Sequence, residues 1–306
     1  MPRNQRQKIV VIVGPTASGK SDLGIFLTQK FDGEIISADS RQVYRGMDIG
    51  TGKITKKEQQ LVKHHLLDVA NPKKVFTVSD FKKSGEKSIK KILNKHKTPF
   101  VVGGTGFYID ALVKDLALPE VPPDKELRKH FNNLSAEHLF KMLRKLDKKR
   151  AQTIDKHNKR RLIRALEIVK TTGKPVPELV SSIKYQILWL GLKPKNLEKR
   201  IKLRLDKRLK QGMVKEVKNL LRSGVSRKRL YDFGLEYRWI SEYLAGKINY
   251  TEMKDGLYKA IVKYSKRQMT WFKRNKDIHW LALSGAEGIK SQREAEKLIR
   301  KFISPL

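Results

Sequence analysis

Two kinds of hydrophobic spacing alternate along this chain. Short apolar runs stand at residues 9–13, 34–37, 66–69, 100–102, 187–192 and 278–283. Between them, apolar residues recur every three or four positions, as Leu23, Leu27 and Phe31 do. The first kind predicts buried strands and the second predicts amphipathic helices. Alternation of the two predicts an α/β fold, a mostly parallel sheet flanked by helices on both faces. Ligands of such sheets lie beyond the carboxyl ends of the strands. The loops after the first, second and fourth runs, residues 14–21, 38–42 and 103–106, are therefore expected to meet there.

The alternation stops after Leu118. Pro119, Pro122 and Pro123 interrupt it, and no convincing strand pattern returns before about Tyr185. This predicts an all-helical insertion domain at 122–185, within a core of residues 1–121 and 186–306. In the insertion, Leu162, Leu166 and Val169 share one helix face, Arg160 and Arg164 fall opposite, and Gly173 and Pro175 end the helix. Residues 196–221 read as one long helix. Leu197, Ile201, Leu205 and Leu209 form one row, with Arg200, Arg204 and Arg208 beside it. Such an arginine row can flank a phosphate or face solvent. The last helix is read as carrying Lys263, Lys266, Arg267, Lys273 and Arg274 among Tyr264, Trp271 and Phe272, a mixture that suits RNA contact or a core face.

The sharpest chemistry follows the first strand. Gly14, Pro15, Thr16, Ala17, Ser18, Gly19, Lys20 and Ser21 spell the phosphate-binding pattern G-x-x-x-x-G-K-[ST] in its strand–loop–helix setting. Its backbone N–H groups and the helix start favour an anion, Lys20 adds a full charge, and the Ser21 hydroxyl can ligand Mg²⁺. The core is thus expected to be P-loop NTPase-like. Such enzymes usually hold Mg²⁺ with a second acid ending an apolar strand. Here the run 100–102 enters Gly103, Gly104, Thr105 and Gly106 with no acid. Asp39 and Asp68 follow other strands without making that pattern. This counts against an ATP-driven motor. It leaves a small-molecule kinase, or an enzyme that holds a diphosphate leaving group. Asp39 can take a proton from a nucleophile, or simply shape a turn. Thr105 can offer its hydroxyl to a phosphate oxygen, or cap a turn.

Charge narrows the partner. Lys and Arg number 68 against 31 Asp and Glu, a formal net charge of +37 over 306 residues. That excess points to a polyanion, with nucleic acid favoured over a membrane surface. No apolar run approaches ~20 residues, so no spanning helix is expected. The start is basic but lacks the apolar core of a signal peptide. The absence of cysteine excludes disulfides and cysteine-ligated zinc and fits a cytoplasmic protein.

Longer blocks carry a resemblance. Besides the phosphate loop they are Ser37-Ala38-Asp39-Ser40-Arg41-Gln42-Val43-Tyr44-Arg45-Gly46-Met47-Asp48-Ile49-Gly50-Thr51, His64-His65-Leu66-Leu67-Asp68, Val102-Gly103-Gly104-Thr105-Gly106-Phe107-Tyr108, Arg160-Arg161-Leu162-Ile163-Arg164-Ala165-Leu166-Glu167 and Ser265-Lys266-Arg267-Gln268-Met269-Thr270-Trp271-Phe272. In this order they resemble the tRNA dimethylallyltransferases, across nearly the whole chain. The resemblance implies dimethylallyl diphosphate as donor, held by residues 14–21 with Mg²⁺, and the anticodon stem-loop of tRNA as acceptor. It implies that Arg204 grips the diphosphate and that Thr105 contacts it near the bridging oxygen. Asp39 would be the base for the adenine N6, with Ser40, Arg41 and Gln42 holding the flipped base. Arg128, Arg160, Arg161, Leu162, Ile163 and Arg164 would contact the tRNA. A monomer is expected, with no membrane. The chain departs from the family at Val262-Lys263, where Thr-Arg is usual, at Ser265 for alanine, and in the stretch 231–238. Alternatives are an adenylate isopentenyltransferase acting on free nucleotide and a P-loop small-molecule kinase.

Overall fold

The computed structural model describes residues 6–182, 184–282 and 286–304, without the side chains of 286–288. Residues 1–5, 183 and 283 of the patterns above lie outside the described residues. The chain divides into two compact units, Leu116–Ser182 and the remainder.

The larger unit opens with β1 (Lys8–Val13), α1 (Lys20–Lys30), β2 (Gly33–Ala38), α2 (Lys56–Leu61), β3 (His64–His65), α3 (Val78–Leu93), β4 (Thr98–Gly103) and α4 (Gly106–Val113). The smaller unit holds α5 (Lys125–Asn132), α6 (Ala136–Leu146), α7 (Lys148–Thr153) and α8 (Lys159–Thr172). The larger unit resumes with β5 (Gln186–Leu192), α9 (Leu197–Lys210), α10 (Met213–Arg222), α11 (Arg227–Phe233), α12 (Leu235–Tyr243), α13 (Tyr250–Phe272), β6 (His279–Leu281) and α14 (Ala286–Ile303).

The six strands are parallel in the order β3-β2-β4-β1-β5-β6. Ile9, Val10, Val11, Ile12 and Val13 are all fully buried. Both faces of β1 carry helices, so its sequence is continuously apolar rather than alternating. Val10 and Ile12 pack with Leu23 and Leu27 of α1 and with Ala295 and Ile299 of α14. Val11 and Val13 face the other way, toward Phe81 and Ile89 of α3 and Ile109 and Leu112 of α4. This is the P-loop NTPase-like sheet that the pattern predicts. From β1 the chain crosses to β2 on one side and later to β5 on the other, so the phosphate loop sits where the strand order reverses. Helices α9 to α13 build a third cluster around Val43, Tyr44 and Met47 from the segment after β2.

Three element predictions need correction. Residues 66–69 form no strand, because Leu66 and Asp68 hold φ values of 65° and 57°, outside the extended region. The edge strand is His64–His65, paired with Ile35 and Ile36. Leu66 is buried as an anchor of the loop that follows. Residues 196–221 form two helices, because Gly212 turns the chain at φ 95° between α9 and α10. The basic and aromatic helix, α13, is followed by α14 and is not the last. No helix among the described residues is long and apolar enough to cross a membrane.

Candidate active site

Between β1 and α1 the chain curls tightly. Gly19 opens α1 at φ 90°, and Ala17 sits at φ 61°. A turn of this shape aims successive N–H groups at an anion. The curl is braced from both sides. Arg200 Nε of α9 donates to the Ala17 carbonyl at 2.8 Å. On the other side Gln268 Oε1 of α13 accepts from Thr16 N at 2.8 Å, while its Nε2 donates to the Gly104 carbonyl at 2.9 Å. Gln268 therefore ties the loop after β1 to the loop after β4. A Cβ at Gly104 would collide with the Gln268 amide, and one at Gly106 with the Trp271 indole, so this close approach requires glycine.

The second loop closes on the same place. Ser40 N donates to Thr105 Oγ1 at 3.0 Å, joining the loops after β2 and β4. That bond uses an oxygen lone pair and leaves the Thr105 proton to donate. Asp39 Oδ1 accepts from Arg41 N at 2.8 Å and from Gln42 N at 3.3 Å. Asp39 thus shapes the turn, the plainer of its two readings. Both bonds fall on Oδ1, so Oδ2 remains for other chemistry. Arg41 donates through Nε to the Phe233 carbonyl at 2.9 Å, and Gln42 through Nε2 to Gly52 O at 3.3 Å. These two side chains hold the loop in place. Glu216 reinforces it by accepting from the backbone of Asp48, Ile49 and Gly50 and from the Tyr237 hydroxyl.

Charge converges here. Lys20 is half-buried and donates to the Pro15 carbonyl at 3.3 Å. Burial pushes its pKa down to about 8, with Asp39 opposing the shift and Arg204 adding to it. Two cations and one carboxylate therefore share the mouth of the phosphate loop. The arginine row of α9 divides into three tasks. Arg200 braces the loop, Arg204 is exposed with its guanidinium against Gly52, and Arg208 is buried, donating to Gly50 O at 2.6 Å and to Glu236 at 2.9 Å. Asp68 forms no part of this cluster, because Lys53 Nζ holds it together with Asp48.

A phosphate loop thus stands beside the strand-end carboxylate Asp39, with no acid directly after β4. The description of the IPP transferase family matches residues 42–275. This chain belongs to the IPP transferase family. It is 42% identical over 286 residues to "tRNA dimethylallyltransferase 2" of Shewanella sediminis, covering 90% of this chain and 94% of that one. It is 38% identical over 310 residues to "tRNA dimethylallyltransferase" of Thermoanaerobacter sp., covering 97% and 98%. Among solved structures, the tRNA isopentenylpyrophosphate transferase of Bacillus halodurans matches with a TM-score of 0.74 at 36% identity, over 97% of this chain and 96% of that one. A eukaryotic dimethylallyltransferase, solved acting on tRNA, matches with a TM-score of 0.81 at 25% identity, over 95% and 78%.

Within the helical unit, the residues implied to touch tRNA separate by burial. Leu162 and Ile163 sit in the core with Phe131, Leu139 and Leu143, at 0% and 7% exposure. The same 3.6-residue period that exposes Arg161 turns their side chains inward. Arg128 donates to Glu167 through Nε at 2.7 Å and through its second nitrogen at 2.8 Å. Arg164 reaches Glu167 at 2.5 Å and the Val121 carbonyl at 2.9 Å. Burial opposes ionisation of the fully buried Glu167, but the two arginines outweigh it and hold its pKa below the usual carboxylate range. Arg128 and Arg164 are therefore structural ion-pair partners first. Arg160 and Arg161 are exposed on the same helix.

The pattern of the chain offers Arg200 as one of a row that can flank a phosphate, but gives no role to Gln268 or Glu216. Gln268 lies within the 265–272 block. Glu216 left no local sign. The donor set also bears on a metal. Ser21, half-buried in the first turn of α1, can give one oxygen, and no cluster of three His, Asp or Glu side chains exists among the described residues. That fits an ion such as Mg²⁺ that takes most of its ligands from phosphate and water.

Proposed function

We propose that this protein transfers a dimethylallyl group from dimethylallyl diphosphate to N6 of the adenosine 3′ to the anticodon in tRNA, releasing diphosphate. The observation that carries the reading is the meeting of Lys20, Arg204 and Asp39 at one phosphate loop. Two neighbouring cations repel each other, and an anionic diphosphate relieves that repulsion. The relatives named above are named for dimethylallyl or isopentenyl transfer and for tRNA, which supports the reading.

The geometry sets the roles. Backbone N–H groups of residues 19–21 at the start of α1, with Lys20 and Arg204, take up the diphosphate, and the Thr105 hydroxyl donates to it. Asp39 Oδ2 accepts a proton from the adenine amine while Oδ1 stays engaged with the Arg41 and Gln42 backbone. The N6–C1 bond forms as the C1–O bond breaks, the N6 proton passes to Asp39, and the bond electrons leave with the diphosphate. Charge stabilisation of the leaving group supplies the larger share of such catalysis. Mg²⁺, held through Ser21 and the phosphates, would neutralise further charge. A stacked adenine cannot present N6 to an enclosed carbon, so the base must leave its stack, which a single-stranded anticodon loop makes cheap. Exposed Arg160 and Arg161 then suit the tRNA backbone, and the cytoplasm suits a protein with this substrate.

The test incubates purified protein with radiolabelled dimethylallyl diphosphate, Mg²⁺ and unmodified tRNA, with AMP in a parallel tube. Label in tRNA alone is the expected result. Label in AMP would assign the free-nucleotide reaction instead, and label in neither would overturn the reading.

A further inference from the structure

Helix α13 places three large polar or aromatic side chains along the site. Gln268 holds two of its loops, and Trp271, one turn later, packs on Gly106 and donates from Nε1 to Asp110 at 2.9 Å. One turn earlier on the same face stands Tyr264. Its charged neighbours include Asp39 and Arg41 from the loop after β2, Glu236 from α12, and Arg267 from its own helix. Arg267 lies 5.7 Å from the ring centroid.

Tyr264 is placed differently from Tyr258, Trp271 and Phe272 of the same helix. Tyr258 packs against the cluster built by α9 to α13, while Phe272 and Trp271 join the one under α3 and α4. Tyr264 is half-buried, one turn before Gln268 on the face of α13 that meets the loops after β1 and β4. A large, half-buried ring one turn from Gln268, with Asp39 among its charged neighbours, is placed to meet a substrate ring.

We propose that Tyr264 is the stacking wall for the acceptor adenine, holding the extruded base so that N6 lies at Asp39. This inference rests on the tRNA-modifying reading of the same site. Aromatic faces suit this task because every base has a π-face, and one such stack changes affinity about 5- to 150-fold. The phenol is protonated at neutral pH even at its ordinary pKa, and burial and Asp39 push it further up, to about 12, so no charge competes with the base.

The experiment compares Tyr264→Phe and Tyr264→Leu with wild type in single-turnover prenylation of an anticodon stem-loop RNA, measuring RNA and donor dependence separately. A second RNA carries 2-aminopurine at the target adenosine, whose emission is quenched by stacking. Stacking predicts that Tyr264→Phe keeps both RNA affinity and quenching. Tyr264→Leu should weaken RNA dependence about 5- to 150-fold and lose the quenching, with donor dependence and thermal midpoint near wild type. Equal losses in Phe and Leu would overturn stacking and assign the hydroxyl. Leu matching wild type, or losing donor binding and stability together, would also overturn it. No transfer by wild type would fail the parent reading, a result distinct from all of these.

Discussion

The phosphate-loop region and the helical unit both carry arginines beside apolar rows, yet the two regions use them oppositely. At the loop, Lys20 and Arg204 lie close together with Asp39, while Arg208 is spent on the buried Glu236 and Arg200 on the loop backbone. In the helical unit, Arg128 and Arg164 both converge on Glu167, a carboxylate with 0% exposure. The difference teaches that a basic helix face is not by itself a ligand surface. Whether an arginine serves substrate or fold depends on a carboxylate brought from another turn or another helix.

The largest expected effect separates chemistry from binding. Asp39→Ala should lower the single-turnover rate about 10²- to 10⁴-fold, the range of general base catalysis, while a filter assay shows tRNA binding retained. Near-normal turnover would reduce Asp39 to its turn-shaping bonds. Next, Arg128→Ala combined with Arg164→Ala should leave Glu167 buried without a counter-charge, lowering stability about 3–5 kcal/mol in denaturant unfolding. Donor binding at the phosphate loop should survive. Unchanged stability together with lost tRNA affinity would make the two regions alike after all.

A smaller effect is read by pH. Lys20 binds its proton less tightly in the folded chain, with a pKa of about 8 against 10.5. Between those values the unfolded chain holds more protons, so this group makes stability rise with pH across that window. Donor affinity should run the other way, falling about tenfold per pH unit above about 8 as the free lysine discharges. Isothermal titration over this range should show proton uptake on binding, and Lys20→Met should abolish both the slope and the uptake. The smallest effect belongs to the exposed face of α8. Arg161→Glu should weaken tRNA binding modestly and flatten its dependence on salt by about one to two units of slope, without moving donor affinity. An unaltered slope would make this face ordinary solvated surface.

Much of this was readable before any tertiary contact was known. The five central residues of β1 are apolar because helices cover both faces, and such a run has no other comfortable place. The phosphate loop is recognisable because its function lies in backbone geometry that particular glycines permit. Loops after β2 and β4 could be placed beside it because parallel strands share their carboxyl ends. Local competition caused the errors: Leu66 looks like a strand residue, but its φ of 65° and its burial serve a loop, and an apolar period runs straight across the turn at Gly212.

The sequence by itself determined the sheet, the helical insertion, the anion-binding turn and the candidate carboxylate, since each is written in neighbours a few residues apart. Only the tertiary structure decided what holds the turn and which charges remain for a ligand. Gln268 reaches Thr16 across 252 residues and Gly104 across 164, and Glu216 reaches Ile49 across 167. Hydrogen bonds over such separations leave no period in the chain, because they depend on where whole helices pack and not on the spacing along any one of them.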